Sequence, residues 1–264
     1  MFRFLVFSVF VLIAVEAQSA VPGYGGDPCP PLPEPQVTVT SFFEPPTYNF
    51  NHTMSALRSI SEREPANVLK KEQPVGLAIG ELNIGITLKT NMIVGTDGQV
   101  CARPAQLTLD TGFQHNAVYV ASELPRRSCG HEEVLAHEEG HLAIDRRLLQ
   151  DFKPLLIRFA ETAVQQLGTV RAATPDEAER KMQMFLNDQL QAASEPLRRE
   201  RTARQSAHDS EEEYKRIGQV CNGAIAAAVT QYLTQTAQQS SGQTNAARLP
   251  APARVPTRQP FTRY

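Results

Sequence analysis

The sequence has 264 residues and no strong charge of either sign, with a formal net charge of −2. Dedicated nucleic-acid binders carry a basic excess, so no nucleic-acid partner is expected. Beyond the first twenty residues there is no run of about 20 apolar residues, which argues against a transmembrane span in the mature chain. No Cys-x-x-Cys pair occurs, so the zinc-ribbon class fits poorly. No internal repeat is visible. Apolar residues make up only 41%, and 19 prolines are many for this length. The chain is nevertheless long enough to bury a core. A disulfide mini-protein and a wholly disordered chain are both excluded.

The first twenty residues have the three parts of a secretory signal. Arg3 supplies the positive start, Phe4 to Val15 is apolar except for Ser8, and Ala17, Ser19 and Ala20 supply small residues. Residues 1–20 therefore read as a signal peptide and the mature protein as secreted or periplasmic. Four cysteines in an oxidising compartment imply two disulfides, with three pairings open.

Val21 to Pro46 holds eight of the 19 prolines, and residues 21–36 read as an extended leader. Val37 to Phe43 has strand character. Met54, Leu57 and Ile60 are spaced for a short helix. Leu82, Ile84, Ile86 and Leu88 alternate as one face of a half-buried strand. Thr96 to Gln99 is a turn. Cys101 to Thr111 and Asn116 to Ala121 read as two strands reversing around Gly112 to His115. Such a hairpin sets residue 101 opposite residue 128 or 129, which favours Cys101–Cys129 and leaves Cys29–Cys221 by elimination.

From Gly130 the apolar spacing becomes helical, with Pro154 expected to kink or split the helix. Gly168 to Thr174 is a break. Thr174-Pro175-Asp176-Glu177 opens a second helix with an N-cap, a first-turn proline and acids. It is expected to end near Ser206. Ser210 and Glu211 to Glu213 open a last helix reaching about Leu233. Residues 234–264 contain four arginines and no acid and read as a disordered tail, with at most weak affinity for an anionic envelope. The domain expected to fold is 37–233, mainly β over 37–125 and helical over 130–233.

The chemistry concentrates in His137-Glu138-Glu139-Gly140-His141. On a helix, positions four apart share a face, so both imidazoles can bind one metal ion. Glu138 can then reach a water on that metal without ligating it, as general base and later general acid. A third ligand is needed. The metzincin pattern would place a histidine where Arg147 stands. Glu161 lies about 30 Å along an unbroken helix from His141 and serves only if the chain turns sharply near Pro154. An antiparallel pairing of the two long helices about residues 171–172 sets residue 202 level with His141 and 206 with His137. The nearest ligand-type residues are then His208 and Asp209. Asp209 competes as a turn or capping residue. His208 is a further ligand, a transition-state group or an exposed histidine. The acids Glu211 to Glu213 read as helix N-terminal charge, the arginines at 198, 199, 201 and 204 as a solvated helix face or as a site for an anionic envelope polymer or the carboxylate end of a peptide, and Tyr214 as buried or as an oxyanion donor. Gly140 weakens a helix by ~1 kcal/mol, which suggests that something packs closely there.

The run Val118 to Cys129 followed by Val134 to His141 resembles the predicted secreted zinc-dependent proteases, which have a β-rich N-terminal half, a His-Glu-x-x-His helix and a downstream Asp segment. His208-Asp209 is similar to that segment. The chain departs from the pattern at Ala143, where the family has Asp, and lacks a clear Thr-x-His-Gly element after Asp209. The resemblance implies a zincin-like α+β fold: a small antiparallel sheet followed by long helices, with an exposed strand beside the metal helix. It implies Zn²⁺ held by His137, His141 and Asp209, Glu138 as the catalytic group, and a protein or peptide substrate. Two other readings stand beside it: a non-catalytic envelope protein with a structural metal, and a zinc-dependent cell-wall amidase.

Overall fold

The computed structural model describes residues 29–63 and 73–246. The signal, the first half of the leader, residues 64–72 and residues 247–264 lie outside them. Two long strands dominate the N-terminal half: β3, Gly76–Val94, and β4, Val100–Val120. They form one antiparallel hairpin that reverses at Thr96 to Gln99, as the sequence suggests. The strands β1, Gln36–Phe43, and β2, Thr47–Asn49, lie end to end along the other edge of β4, both parallel to it. The short β5, Val170–Ala172, adds antiparallel to the start of β4. The sheet is thus mixed, and the expected all-antiparallel arrangement is corrected. The physical reason is the connection. The short helix α1, Met54–Ser61, stands between β2 and β3, and the chain crosses from one edge of β4 to the other along this stretch. No tight turn forces opposite directions.

The expected reversal around Gly112 to His115 does not occur, because β4 runs straight through it. Gly112 and Phe113 pair with Phe42 and Phe43 on one side and with Asn83 and Leu82 on the other. Gly112 serves packing: a Cβ there would stand 2.4 Å from the Phe42 carbonyl oxygen. His115, at φ 54°, forms a bulge, with two residues of β4 set against Gly80. This overturns the disulfide pairing as well. Cys101 lies at one end of β4 and Cys129 beyond the other, roughly 60 Å apart along the strand, whereas a disulfide needs Cα atoms within about 7 Å. The bonds are Cys29–Cys101 and Cys129–Cys221. The first pins the end of the leader beside β4, where Arg103 also grips Glu34 with two hydrogen bonds. Two disulfides fit an extracellular or other oxidising compartment, and among the described residues no helix is long and apolar enough to cross a membrane.

The C-terminal half is helical. The helix α2, Cys129–Leu167, starts on the Ser128 side chain, which accepts from the His131 N–H, and continues unbroken through Pro154. The helix α3, Pro175–His208, starts on Thr174 and returns antiparallel to it, β5 filling the expected break between them. At ~1.5 Å per residue, α2 is ~58 Å long, comparable to the β3–β4 hairpin it covers. Its buried side chains join the sheet in sequence. Val134 meets Val120, Leu148 and Leu149 meet Phe113, and Leu156, Ala160, Ala163 and Val164 meet Leu107 and Leu109. Thr38, Thr40, Asn83 and Thr87, at alternate sheet positions, are exposed. The expected last helix is two: α4, Glu211–Gln219, and α5, Ala224–Ala246, separated where Cys221, Asn222 and Gly223 take positive φ. Helix therefore replaces the first part of the expected disordered tail.

Candidate metal centre

The His-Glu-x-x-His run lies on α2, with His137 and His141 on one face. The C-terminal end of α3 brings Gln205, His208 and Asp209 against it. Asp209 Oδ1 lies 3.1 Å from His137 Nε2 and 3.0 Å from His141 Nε2. The other ring nitrogens also face oxygen. His137 Nδ1 is 3.5 Å from Glu213 Oε1, and His141 Nδ1 meets Gln205 Oε1. The Gln205 amide is oriented by its own donors, since Nε2 reaches the His141 carbonyl at 3.1 Å and Asp145 Oδ1 at 2.8 Å.

His141 thus faces oxygen at both nitrogens, while His137 Nδ1 is buried without a hydrogen-bond partner among the described residues. A neutral imidazole has one N–H. The Gln205 carbonyl takes that proton at His141 Nδ1, which turns the Nε2 lone pair of the neutral ring onto the Asp209 carboxylate oxygen. A divalent cation among the two Nε2 atoms and Oδ1 removes that conflict. Zinc at ~2.0–2.1 Å from each ligand sets tetrahedral ligands ~3.3 Å apart, close to the separations seen. The donor set therefore fits such an ion.

Two side chains compete for the third position. His137, His141 and His208 each bring a nitrogen to within 4.8 Å of the others and could hold a metal ion. The His208 ring stacks on His137 at 4.4 Å, and its Nε2 donates to the His137 carbonyl at 2.9 Å, leaving Nδ1 as its lone pair. Asp209 has an oxygen near both ring nitrogens at once and is the better placed. Glu161 is exposed far along the unbroken α2 and is no ligand.

Glu138 is buried against β3. A Cβ on Gly76 would stand 2.4 Å from its Oε1. Burial pushes its carboxyl up to about 7, against the pull of the His141 and His137 rings and a hydrogen bond from the Ala78 backbone. Burial resists charging of His141, but the Asp209 hydrogen bond and the carboxylates of Glu138 and Asp209 push it up to about 9. Burial opposes the ionised form of Asp209 too, yet its hydrogen bonds to both rings hold it well below the usual carboxylate range.

Other residues escaped the sequence reading. Asp145 is buried and takes two hydrogen bonds from Arg201, at 2.9 and 2.8 Å, while Arg201 also donates to the Gly80 carbonyl at 3.0 Å and lies over the Phe113 ring. Arg201 is therefore no part of a solvated face. Arg204 bonds Asp151 and Glu200 nearer the surface. Glu213 both faces His137 and pairs with Arg216, a role beyond helix-end charge. Its neighbour Tyr214 has its ring 6.3 Å from that of His137. His131 sits off the metal face, edge-on to Phe50. The centre opens into a cavity of about 780 Å³ walled by α1, β3, α2, α3, α4 and α5.

No family profile, curated protein or solved structure matches this chain.

Proposed function

We propose that the chain is a zinc-dependent hydrolase of peptide bonds, exported to an oxidising compartment. The observation that carries this reading is the convergence of His137 Nε2, His141 Nε2 and Asp209 Oδ1 beside a buried Glu138, at the wall of a ligand-sized cavity. The resemblance to secreted zinc-dependent proteases points the same way. His137, His141 and Asp209 would hold the ion. When bound, it supplies Lewis-acid polarisation of a carbonyl and acidifies water.

The chain's own residues do the rest. Glu138, with its pKa near neutrality, can accept a proton from water and deliver it to the leaving amine. Gln205 fixes the Nδ1 side of the His141 ring and so aims its Nε2 lone pair inward. Tyr214 lines the cavity, where its hydroxyl would reach a developing oxyanion. In this reading β3 is the strand beside the metal helix. The reversal expected at Gly112 would have put an exposed strand within β4, but β4 is central.

A second reading rests on His208. If it joins the other three as a fourth protein ligand, the site is closed and the metal structural, as in a non-catalytic binding protein. Metal analysis of the purified chain separates the two. The hydrolase reading expects about one zinc per chain, lost in Asp209→Ala and retained in His208→Ala. It also expects Glu138→Gln to keep the metal and lose activity toward a peptide library. Full activity of that variant, or zinc content unchanged in His141→Ala, overturns it. A parallel panel of cell-wall amides decides between peptidase and amidase, which share this chemistry.

A further inference from the structure

Two arginines line the cavity, and they are engaged differently. Arg201 is neutralised by Asp145 through a bidentate pair. Arg58, on α1, is partly buried at the same cavity. Its Nε donates to Gln73 Oε1 at 2.9 Å. Gln73 is held in turn, its Nε2 donating to the Met54 carbonyl at 2.7 Å and the Pro74 carbonyl at 3.2 Å. Among the described residues the guanidinium is anchored through Nε alone, and no carboxylate there pairs with it, so its two terminal nitrogens form a fork. A partly desolvated guanidinium at a cavity wall is a suitable receptor for an anion, and a planar fork suits a carboxylate.

The path from Arg58 to the candidate centre is apolar. Val134, one turn before Glu138, packs with Ile217 and Ile225. Ala228 joins that cluster to the next, where Val229 meets Met54 and Leu57, the neighbour of Arg58 in the chain. Ile217, Ile225 and Val229 line the cavity. Gln73, which anchors Arg58, stands three residues before Gly76, which abuts Glu138. Three residues span at most ~11 Å of chain, so the backbone beside Arg58 and the backbone beside Glu138 are only a few peptide residues apart.

We propose that Arg58 is a specificity-determining residue that binds a substrate carboxylate a few residues from the bond cut, with apolar side chains of the substrate on the α4–α5 wall between. The proposal rests on the hydrolase reading and names its substrate class: peptides with an apolar stretch ending in a carboxylate. That carboxylate is either a chain terminus or an Asp or Glu side chain.

The test reads binding in the zinc-loaded full chain carrying Glu138→Gln, so that it does not depend on turnover. Acetyl-Leu-Leu-Phe is compared as free acid and as amide, and acetyl-Leu-Leu-Glu amide with acetyl-Leu-Leu-Gln amide, by calorimetry. One acid peptide is expected to bind at least tenfold tighter than its neutral counterpart, and which pair shows the difference identifies the source of the carboxylate. Adding Arg58→Gln should abolish the difference and leave the neutral peptides within about twofold. Arg58→Lys should keep part of it, and the melting temperature of each variant reports folding. Equal loss for acid and neutral peptides in Arg58→Gln, no preference before the substitution, or no binding of any peptide overturns the proposal. Peptide turnover by Glu138→Gln equal to that of the unmodified chain would sink the hydrolase reading while leaving the Arg58 comparison measured.

Discussion

Gly140 lies directly under the ring of His208: a Cβ at position 140 would stand 2.5 Å from His208 Nε2. Glycine inside a helix normally weakens it by ~1 kcal/mol relative to alanine. Here the absent side chain is what lets His208 stack on His137. Gly140→Ala should therefore gain nothing in the native chain and should displace His208. In a His208→Ala background the same substitution should stabilise by up to ~1 kcal/mol. Urea unfolding of the four members of this cycle checks it. Stabilisation in both backgrounds would show that His208 is free to move aside.

The oxygen behind the His141 imidazole should matter to a bound metal almost as much as its candidate ligands. Gln205→Leu removes the acceptor of His141 Nδ1 and the donor to Asp145. Metal affinity is expected to fall 10–100-fold with no change in stoichiometry. Competition with a chromophoric chelator measures it. An affinity within twofold of the unmodified chain would remove Gln205 from this role.

In the metal-free chain, acidification should stabilise. Glu138 and His141 both have folded pKa values raised above their ordinary values of 4.5 and 6.5, to about 7 and about 9. A raised value means that the folded state holds its proton longer. The associated stability is full below the ordinary value and lost as pH rises through the folded one. The windows are pH 4.5 to 7 for Glu138 and 6.5 to 9 for His141. Asp209, shifted downward, acts oppositely, and its contribution is lost only in strong acid. The melting temperature of chelator-treated protein should rise from pH 9 to pH 5. Metal binding requires deprotonated imidazoles, so the increment from added zinc should shrink over the same range. An apo melting temperature that falls steadily toward pH 5 would contradict the assignment.

The Cys129–Cys221 bond joins the first residue of α2 to the turn after α4, and α4 carries Glu213 and Tyr214. Replacing both cysteines by serine should cost about 2–5 kcal/mol, as expected for a loop this long. It should also weaken metal binding more than the corresponding loss of Cys29–Cys101, which lies at the far end of β4. Chemical denaturation and zinc titration of the two double variants test this ordering.

Much of the site was legible because helices carry periodic information. His137, His141 and Asp145 are spaced by four on α2, and Arg201, Gln205 and Asp209 by four along α3 and its C-cap. The pairs 137 with 209, 141 with 205 and 145 with 201 meet across the antiparallel interface. The first two members of one row and the last of the other could be read from residue type. Asp145 and Arg201 look like ordinary surface charges until the rows are set side by side. The sequence-based register was three residues off, because β5 and the Thr174 cap move the centre of the reversal to about residue 173. Nearly one helical turn separates the two registers, enough to hide Gln205 behind Thr202. The sheet was less legible. Gly112 to His115 has the composition of a turn, and only the partners on both sides of β4 turn it into a bulge within a continuous strand. Strand pairing is a long-range property, whereas turn composition is local.

The disulfides pair each cysteine with the next one along the chain. Their loops follow one another and neither nest nor cross. A chain entering an oxidising compartment from its N-terminus presents Cys29 and Cys101 before Cys129 appears, so the correct first bond is also the first one available. Once it closes, the remaining two thiols have only each other. The connectivity therefore encodes its own order of assembly, and a chain with this pattern should reach its native bonds with little need for reshuffling.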